Sequence, residues 1–252
     1  MTTTLCREWL AAAALTLVVL TVPAAVRATD VSDVLARMRQ AVAPGKDMRA
    51  TVVFVMSNAK GENVRWTGHL YRRSHEQPGM RLTFDDPVDL RGTEVQVRGA
   101  DGNTQTRLYL PSIRRVRDLQ ADMRGESFLG TDFNYEDLAL QDLTFQRQTL
   151  VTGDGKDPDC IWVESIPERG WWCGKMLRCI SKQTYLPRRT EYYSRDGTLW
   201  KVRTFDSVKE IGGFPTATEI ATKTVPLGTS TRIILTDVQY DTKIPESVFE
   251  RP

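Results

Sequence analysis

Apolar and polar residues alternate with a period of two through most of the chain, and this pattern limits the fold more than any other feature. In residues 80–85, for example, Met80, Leu82 and Phe84 alternate with polar side chains. Such alternation is typical of β-strands. Hairpin turns are indicated between these segments by short glycine-containing runs: Asp101-Gly102, Gly153-Asp154-Gly155, Asp196-Gly197 and Gly212-Gly213. The sequence therefore predicts a mainly β protein, a meander of about 10 to 11 antiparallel strands.

Several segments are apolar on both faces, as in residues 52–56, 160–163 and 233–235. A sheet with one face in solvent does not need a second apolar face, so another part of the chain must cover it. Apolar side chains recur at helical spacing in residues 31–42, which predicts a helix at the start of the mature chain. We expect a strongly curved sheet that forms an incomplete, half-open β-barrel, with this helix and the segment 132–140 across its concave face.

The first 28 residues have the pattern of a cleavable export signal. Arg7 supplies a positive charge, residues 11–22 form an apolar stretch, and Val26-Arg-Ala28 places small residues where a signal peptidase cleaves. A membrane-spanning helix needs roughly 18 or more apolar residues, and this stretch is shorter. We expect cleavage after Ala28 and one periplasmic domain over residues 29–252.

Charge and motif content argue against two broad functions. The chain has 34 basic and 32 acidic residues, and loss of the signal leaves a net charge of about +1, so nucleic-acid binding has no global electrostatic support. There are two histidines, no Gly-x-Ser-x-Gly nucleophile elbow and no Cys-x-x-Cys pair of the kind that binds zinc. We expect a non-enzymatic protein that uses no metal and no cofactor and binds no nucleic acid.

Cleavage of the signal leaves three cysteines, so at least one has no intramolecular partner. Cys160 and Cys179 lie in two apolar segments that resemble the arms of a hairpin, and an oxidising compartment permits a disulfide between them. Cys173 lies in the turn region between the arms. Pairs that use Cys173, and three free thiols, remain open alternatives.

The segment 108–138 contains the most unusual cluster of side chains. An apolar strand ends at Pro111 or becomes an edge strand there, because proline cannot donate a ladder hydrogen bond. Arg114, Arg115 and Arg117 follow it. Two interpretations stay open for these arginines: a solvated face with nearby carboxylate partners, or a dock for an acidic partner or a lipid head group.

A loop with an apolar tip comes next. Gly125 and Gly130 flank Phe128-Leu129, and we expect this loop to be mobile and to act as a gate.

A short helix is predicted after the loop, with Thr131, Asp132 or Asn134 as its N-cap. Phe133, Tyr135 and Leu138 then face the interior, either as part of a binding site or as ordinary packing. We expect three carboxylates to cap this helix and to pair with the arginines above: Asp132, Glu136 and Asp137.

At this point the residues resemble a known family. Leu108-Tyr-Leu-Pro111 with Arg114-Arg-Val116, and the run Ser127-Phe-Leu-Gly-Thr-Asp-Phe-Asn-Tyr-Glu-Asp-Leu138, are similar to the signature of outer-membrane lipoprotein-sorting proteins. These are relatives of the Lol-type periplasmic carrier. The likeness continues in order and spacing through Tyr185-Leu-Pro187 and residues 208–215 to Ile244-Pro-Glu-Ser-Val-Phe249. It covers essentially the whole mature chain, apart from the hairpin between Cys160 and Cys179.

The resemblance implies a half-open barrel whose apolar hollow holds the acyl chains of lipoproteins or lipids during transit between membranes. It also implies a donor, either an inner-membrane exporter of the resistance-nodulation-division type or a lipoprotein-releasing complex, and transient contact with a membrane surface. A monomer is expected. The expected cavity residues are Val52, Phe54, Met56, Trp66, Leu82, Phe84, Leu108, Leu110, Phe128, Phe133, Tyr135 and Leu138.

The same hollow is compatible with a second function, that of a periplasmic regulator that senses stray lipid or lipoprotein. Such a regulator needs a protein output partner. A purely structural β-protein is the third alternative.

Overall fold

The computed structural model describes residues 30–75, 77–99, 104–120, 123, 125–138, 145–152, 157–167 and 171–250. The predicted export signal lies outside these residues, as do the predicted turns at 101–102 and 153–155 and the end of the 132–140 segment. Within the described ranges, no helix has both the length and the apolar character needed to cross a bilayer.

The described chain forms a mainly β structure, as predicted, with thirteen strands in one antiparallel sheet. The helices are α1 (Val31–Val42) and α2 (Tyr135–Leu138), and short 3-10 helices span Pro111–Ile113 and Glu246–Phe249. The strands are β1 (Asp47–Ser57), β2 (Asn63–Arg73), β3 (Gly79–Asp86), β4 (Glu94–Arg98), β5 (Gln105–Leu110), β6 (Arg115–Leu119), β7 (Phe145–Val151), β8 (Cys160–Pro167), β9 (Lys175–Ser181), β10 (Pro187–Tyr193), β11 (Leu199–Ile211), β12 (Phe214–Thr224) and β13 (Thr229–Tyr240).

The strand count exceeds the expected 10 to 11. Edge strand β6 is a case that alternation does not predict well, since four of its five residues are exposed and only Leu119 is half-buried.

Two meanders make up the sheet, and β1 pairs with β13 to join them. The strand order is β6-β5-β4-β3-β2-β1-β13-β12-β11-β10-β9-β8-β7, so the sheet does not close on itself. This is the half-open barrel that the sequence predicts.

The position of β6 and β7 determines where the functional segment must lie. These strands are consecutive in the chain, but they occupy opposite edges of the sheet. The chain between them therefore has to cross a face of the sheet. We call the face that it crosses the inner face, and the opposite one the outer face.

Helix α1 covers part of the inner face, as expected. Asp30 caps it, because its carboxylate accepts a hydrogen bond from the Ser32 backbone N–H at 3.1 Å. The buried side of α1 carries Val34, Leu35 and Met38, which pack with Val163 of β8 and Ile180 of β9.

The C-terminal segment covers part of the outer face. Phe249 is buried, and its backbone carbonyl accepts a hydrogen bond from the Gln96 amide at 2.7 Å. Arg81 of β3 donates to the Val248 carbonyl at 3.2 Å. These contacts explain why strands of the first meander need apolar or paired polar groups on both faces.

Gly68 allows β2 and β3 to approach closely where their register shifts. A Cβ atom placed on this residue would lie 1.9 Å from the backbone oxygen of Thr83, which leaves no room for any side chain. Only glycine fits at this point of the inner face.

Candidate functional site

The segment that crosses the inner face forms a tight hairpin over residues 126–135, which we call the plug hairpin. The Phe128 N–H donates to the Phe133 carbonyl at 2.8 Å, and the Thr131 N–H donates to the Phe128 carbonyl at 2.9 Å. Leu129 and Gly130 form its turn, both with positive φ, as in the turns preferred by two-residue hairpins.

Phe128 projects from the plug hairpin into the centre of the inner face and is completely buried. Its ring centroid lies 6.2 Å from those of Phe54 and Phe84, and Tyr135 packs edge-on against it at 5.5 Å. The sequence predicts a loop with an apolar tip at this place. In the structure Phe128 points inward and packs within a cluster of apolar side chains.

All of the expected cavity residues meet in one apolar cluster on the inner face. Nine of them are buried: Val52, Phe54, Trp66, Leu82, Phe84, Leu108, Phe128, Phe133 and Tyr135. Met56, Leu110 and Leu138 are half-buried and pack against the others. The cluster joins side chains from β1, β2, β3, β5, the plug hairpin and α2, which period-two alternation alone cannot place together.

A polar network fastens the plug hairpin to the other half of the sheet. The Asp132 carboxylate is buried and accepts hydrogen bonds from three hydroxyls, those of Thr224 (2.5 Å), Thr229 (2.6 Å) and Thr231 (2.8 Å). The Asp132 N–H donates in turn to the Thr231 hydroxyl at 3.0 Å. A carboxylate that accepts several short hydrogen bonds in a buried place is held firmly.

Lys201 of β11 is a second attachment point. Its ammonium donates to the Asp132 backbone carbonyl at 2.6 Å and to the Asn134 side-chain oxygen at 2.7 Å, and it lies 5.4 Å from the centre of the Trp172 ring. Burial lowers the pKa of Lys201. The network of acceptors around it supplies the contacts that a buried cation requires.

Arg203, two residues further along β11, forms a buried ion pair with Asp137 of α2 at 2.5 Å. Its Nε donates to the Thr222 hydroxyl at 3.0 Å, and its guanidinium lies over the rings of Phe133 and Tyr192. Burial lowers the pKa of Arg203, but the charge of Asp137 more than offsets this, so the net direction is upward.

The expected pairing of the acidic residues with Arg114, Arg115 and Arg117 was wrong for Asp132 and Asp137. The three arginines are exposed at the β6 edge, whereas the two carboxylates lie over β11 to β13 and bind groups there. Glu136 is half-buried.

The expected capping by Asp132 was also wrong, because the three hydroxyls occupy its carboxylate. The cap function falls to Asp137, whose carboxylate accepts from the Asn134 N–H at 2.7 Å, three residues before it. Asn134 thus stands at the start of α2, as one of the three predicted caps.

Arg115 and Arg117 nevertheless lie beside the apolar cluster. They pair across the β5–β6 ladder with Leu110 and Leu108 respectively, which places them on the inner-face side of the edge strand. Tyr135 connects the two regions: burial raises its pKa, and the positive charge of Arg117 opposes this effect.

A disulfide joins Cys160 of β8 to Cys179 of β9, with the Cα atoms 5.2 Å apart. This is one of the pairings that the sequence leaves open. Cys173 is a free, buried thiol. Asp157, Cys160 and Cys179 bring potential metal-ligand atoms close together. The two sulfurs are bonded to each other, however, and are not thiolates.

The Cys160–Cys179 disulfide lies beside a cavity of about 390 Å³. Four of its charged residues pair with one another: Arg188 with Asp157 and Arg189 with Glu191, each at 2.8 Å. The residues that line this cavity are not part of the apolar cluster.

Sequence reasoning missed the polar half of the inner face. Lys201 and Arg203 in β11 follow the alternation expected of solvent-facing positions, and Thr222 and Thr224 in β12 give no apolar signal. They are buried because the plug hairpin lies on them. Sequence reasoning also missed Trp172, which packs against Gly125. A Cβ atom on Gly125 would lie 2.9 Å from the Trp172 side chain.

Solved structures with the same architecture place the fold in a known class. The chain is similar to a DUF1329 family protein from Desulfovibrio piger, with a TM-score of 0.75 and 23% identity over 88% of this chain and 96% of the other. A domain from Vibrio parahaemolyticus, named as an outer membrane lipoprotein-sorting protein, gives a TM-score of 0.74 and 24% identity over 86% and 95%. A LolA superfamily protein from Nitrosomonas europaea gives 0.68 and 16% over 89% and 99%.

The fold is therefore that of the LolA-like, outer-membrane lipoprotein-sorting proteins, as the sequence resemblance indicated. Residues 79–252 match a family model described as "uncharacterized protein", and the chain belongs to that family. No curated protein matches the chain.

Proposed function

We propose that this protein is a non-enzymatic periplasmic carrier that binds acyl chains of lipoproteins or lipids on its inner face and transfers them between membranes. One observation carries the proposal: apolar residues from distant parts of the chain converge in one buried cluster beneath a hairpin that contributes Phe128, Phe133 and Tyr135 to it. The LolA-like fold supports the same function.

In this proposal the plug hairpin and the acyl chain compete for the same apolar surface. Burial of one large apolar side chain such as Phe128 contributes about 1.5–3 kcal/mol. Burial of an acyl chain of roughly a dozen methylenes contributes about 10 kcal/mol before ordering costs, at ~0.8 kcal/mol for each methylene. Burial of the acyl chain therefore contributes more than the loss of Phe128 from the cluster costs.

The plug also explains how a carrier releases its cargo. If the apolar cluster stayed open without ligand, its exposed surface would hold an acyl chain too strongly for transfer to a membrane. Closure of the plug over the cluster recovers part of the lost burial, so the free energy of release becomes smaller. Affinity stays moderate as a result.

Arg115 and Arg117 are well placed to contact the head group of the cargo. They are exposed at the edge of the sheet, directly across from Leu110 and Leu108 of the apolar cluster. An amphiphile with its acyl chain in the cluster and its anionic group at this edge would contact both the apolar side chains and the arginines. Arg114, in a left-handed turn next to them, adds to the same positive surface.

The chemistry of the inner face supports a binding role without catalysis. Burial raises the pKa of Cys173 to about 12, so its thiol stays protonated and is a poor nucleophile at neutral pH. The Asp132 and Asp137 carboxylates are engaged in structural contacts.

The export pattern of the N-terminus supports the periplasmic location. The sequence resemblance suggests an exporter of the resistance-nodulation-division type, or a lipoprotein-releasing complex, as the donor.

The proposal is tested by extraction of the purified mature protein with organic solvent, followed by mass spectrometry, and by titration with a fluorescent fatty acid. We expect a co-purified acylated molecule or saturable binding. Leu110→Glu, at the border of the apolar cluster, should weaken binding by about tenfold or more. Leu150→Glu is the control, since Leu150 is exposed on β7 at the far edge of the sheet. No extracted lipid together with no fatty-acid binding would refute the carrier function.

A further inference from the structure

The exposed large hydrophobic side chains gather at one end of the sheet. Because neighbouring strands are antiparallel, every hairpin connection lies at one of two ends. We call the end at which β1 finishes and β2 begins the plug end. Of nine such side chains in the described residues, seven lie at the plug end: Val64, Val88, Ile113, Val116, Trp200, Val225 and Leu227.

These seven residues, which we call the apolar rim, stand on strand ends and turns. Val64 is the second residue of β2, Val88 lies between β3 and β4, and Ile113 lies between β5 and β6. Val116 is the second residue of β6, and the remaining three come from the start of β11 and from the turn between β12 and β13. Val88 and Leu227 are the most exposed, at 68% and 61%.

The apolar rim adjoins the plug hairpin. Thr224 and Thr229, which precede and follow the turn that carries Val225 and Leu227, both donate hydrogen bonds to Asp132. The same turn lies beside the turn after β1, since a Cβ on Gly228 would be 3.5 Å from the Ala59 Cβ. A contact made by the rim is therefore made next to the segment that closes the apolar cluster.

We propose that the apolar rim is the surface by which this protein docks on a lipid bilayer. This inference rests on the proposed function, because it gives the acyl chain a route from the bilayer to the inner face beside the plug hairpin.

A bilayer is favoured over a protein partner by the shape of the rim. Single aliphatic side chains on separate turns do not form the continuous, packed centre of a protein interface. Each can insert shallowly between lipid head groups, and tryptophan is enriched at membrane–water interfaces.

Charges of both signs lie among the apolar residues of the rim. Lys60 and Arg114 are exposed there, and so are Glu62 and Asp89. Electrostatic attraction to anionic lipid is therefore not the main contribution. Binding should occur on uncharged phosphatidylcholine vesicles and should change little with salt, unlike binding through a basic patch.

The test is flotation of the purified mature protein with phosphatidylcholine vesicles. We expect the protein to float with the vesicles, and the double variant Val88→Glu/Leu227→Glu to lose vesicle affinity by about tenfold or more, because two carboxylates would enter the head-group region. Val208→Glu is the matched control: Val208 is 51% exposed near the opposite end of the sheet, and its replacement should leave vesicle binding unchanged.

Fatty-acid binding without vesicles separates this inference from the proposed function. The double variant should bind a fluorescent fatty acid as the parent protein does. Vesicle binding without fatty-acid binding would refute the carrier function but leave the docking surface in place. Failure of the parent protein to float, or equal flotation of the double variant, would overturn the docking surface. So would a dimer in analytical ultracentrifugation that the double variant abolishes, since a second copy would then cover the rim.

Discussion

Asp137 of α2 and Arg203 of β11 form an ion pair at 2.5 Å, with side chains that are 9% and 10% exposed. The pair connects the segment that crosses the inner face to the second meander of the sheet. A buried pair of this kind stabilises a structure little by its presence, but removal of one partner leaves an uncompensated charge.

We therefore expect Asp137→Ala to lower the free energy of unfolding by about 3–5 kcal/mol, measured by urea denaturation. The double variant Asp137→Leu/Arg203→Met should recover most of this loss, since it removes both charges. Equal destabilisation by the single and double variants would show that the ion pair itself does not matter.

The hydrogen bonds between Asp132 and three threonines hold the plug hairpin closed. In Asp132→Asn the charge is lost, and each hydrogen bond to a charged acceptor contributes about 1.5–3 kcal/mol. If the plug competes with the acyl chain, its weaker attachment should raise fatty-acid affinity by about tenfold. Asp206→Asn, which changes an exposed carboxylate on the distant part of β11, serves as the control. Lower affinity in a folded Asp132→Asn protein would contradict the competition.

The buried thiol of Cys173 makes the free energy of unfolding depend on pH in the alkaline range. Burial raises its pKa from 9.0 to about 12, so the folded state favours the neutral thiol. This contribution is fully present below pH 9 and is lost as the pH rises toward 12. Tyr192, whose pKa burial raises to about 12, acts in the same direction.

The free energy of unfolding should therefore fall between pH 9 and pH 11, and Cys173→Ala should make this fall less steep. At pH 8 the thiol should react with a labelling reagent only after unfolding. Rapid labelling of the native protein would show that Cys173 is accessible.

Gly68 is a position where no side chain fits. The backbone oxygen of Thr83 is 1.9 Å from the site of a Cβ, and a backbone atom cannot move away as a flexible side chain can. We expect Gly68→Ala to separate β2 from β3 and to cost several kcal/mol of stability. Gly79→Ala is the comparison, since its Cβ would lie 3.3 Å from the Phe249 ring edge and no closer than 3.5 Å to a backbone atom, the Val97 oxygen. Similar melting temperatures for the two variants would contradict this account.

Local patterns predicted β1 and β3 of the first meander well, but not its edge strand β6. In β1 and β3, the alternation that places Phe54 and Phe84 on one face depends only on the geometry of an extended chain. The same reasoning predicted α1, whose apolar spacing and Asp30 cap are local features. The Cys160–Cys179 disulfide is one of the pairings that the sequence left open, the one between the two arms of a predicted hairpin.

The polar half of the inner face could not be predicted in this way. Lys201 and Arg203 alternate as solvent-exposed residues do, yet both are buried. Their partners Asn134 and Asp137 are more than sixty residues away in sequence. No local pattern contains that relationship, because it depends on the chain crossing the sheet from β6 to β7.

By itself, the sequence determined that this protein is a curved antiparallel sheet with an apolar inner surface, because residue periodicity and turn chemistry act over short distances. Only the tertiary structure decided that Phe128 fills that surface, and that Asp132 binds three threonines instead of the nearby arginines. The physical reason is the strand order: the meanders join through β1 and β13, which sends the connecting segment across the inner face and gives its charges new partners there.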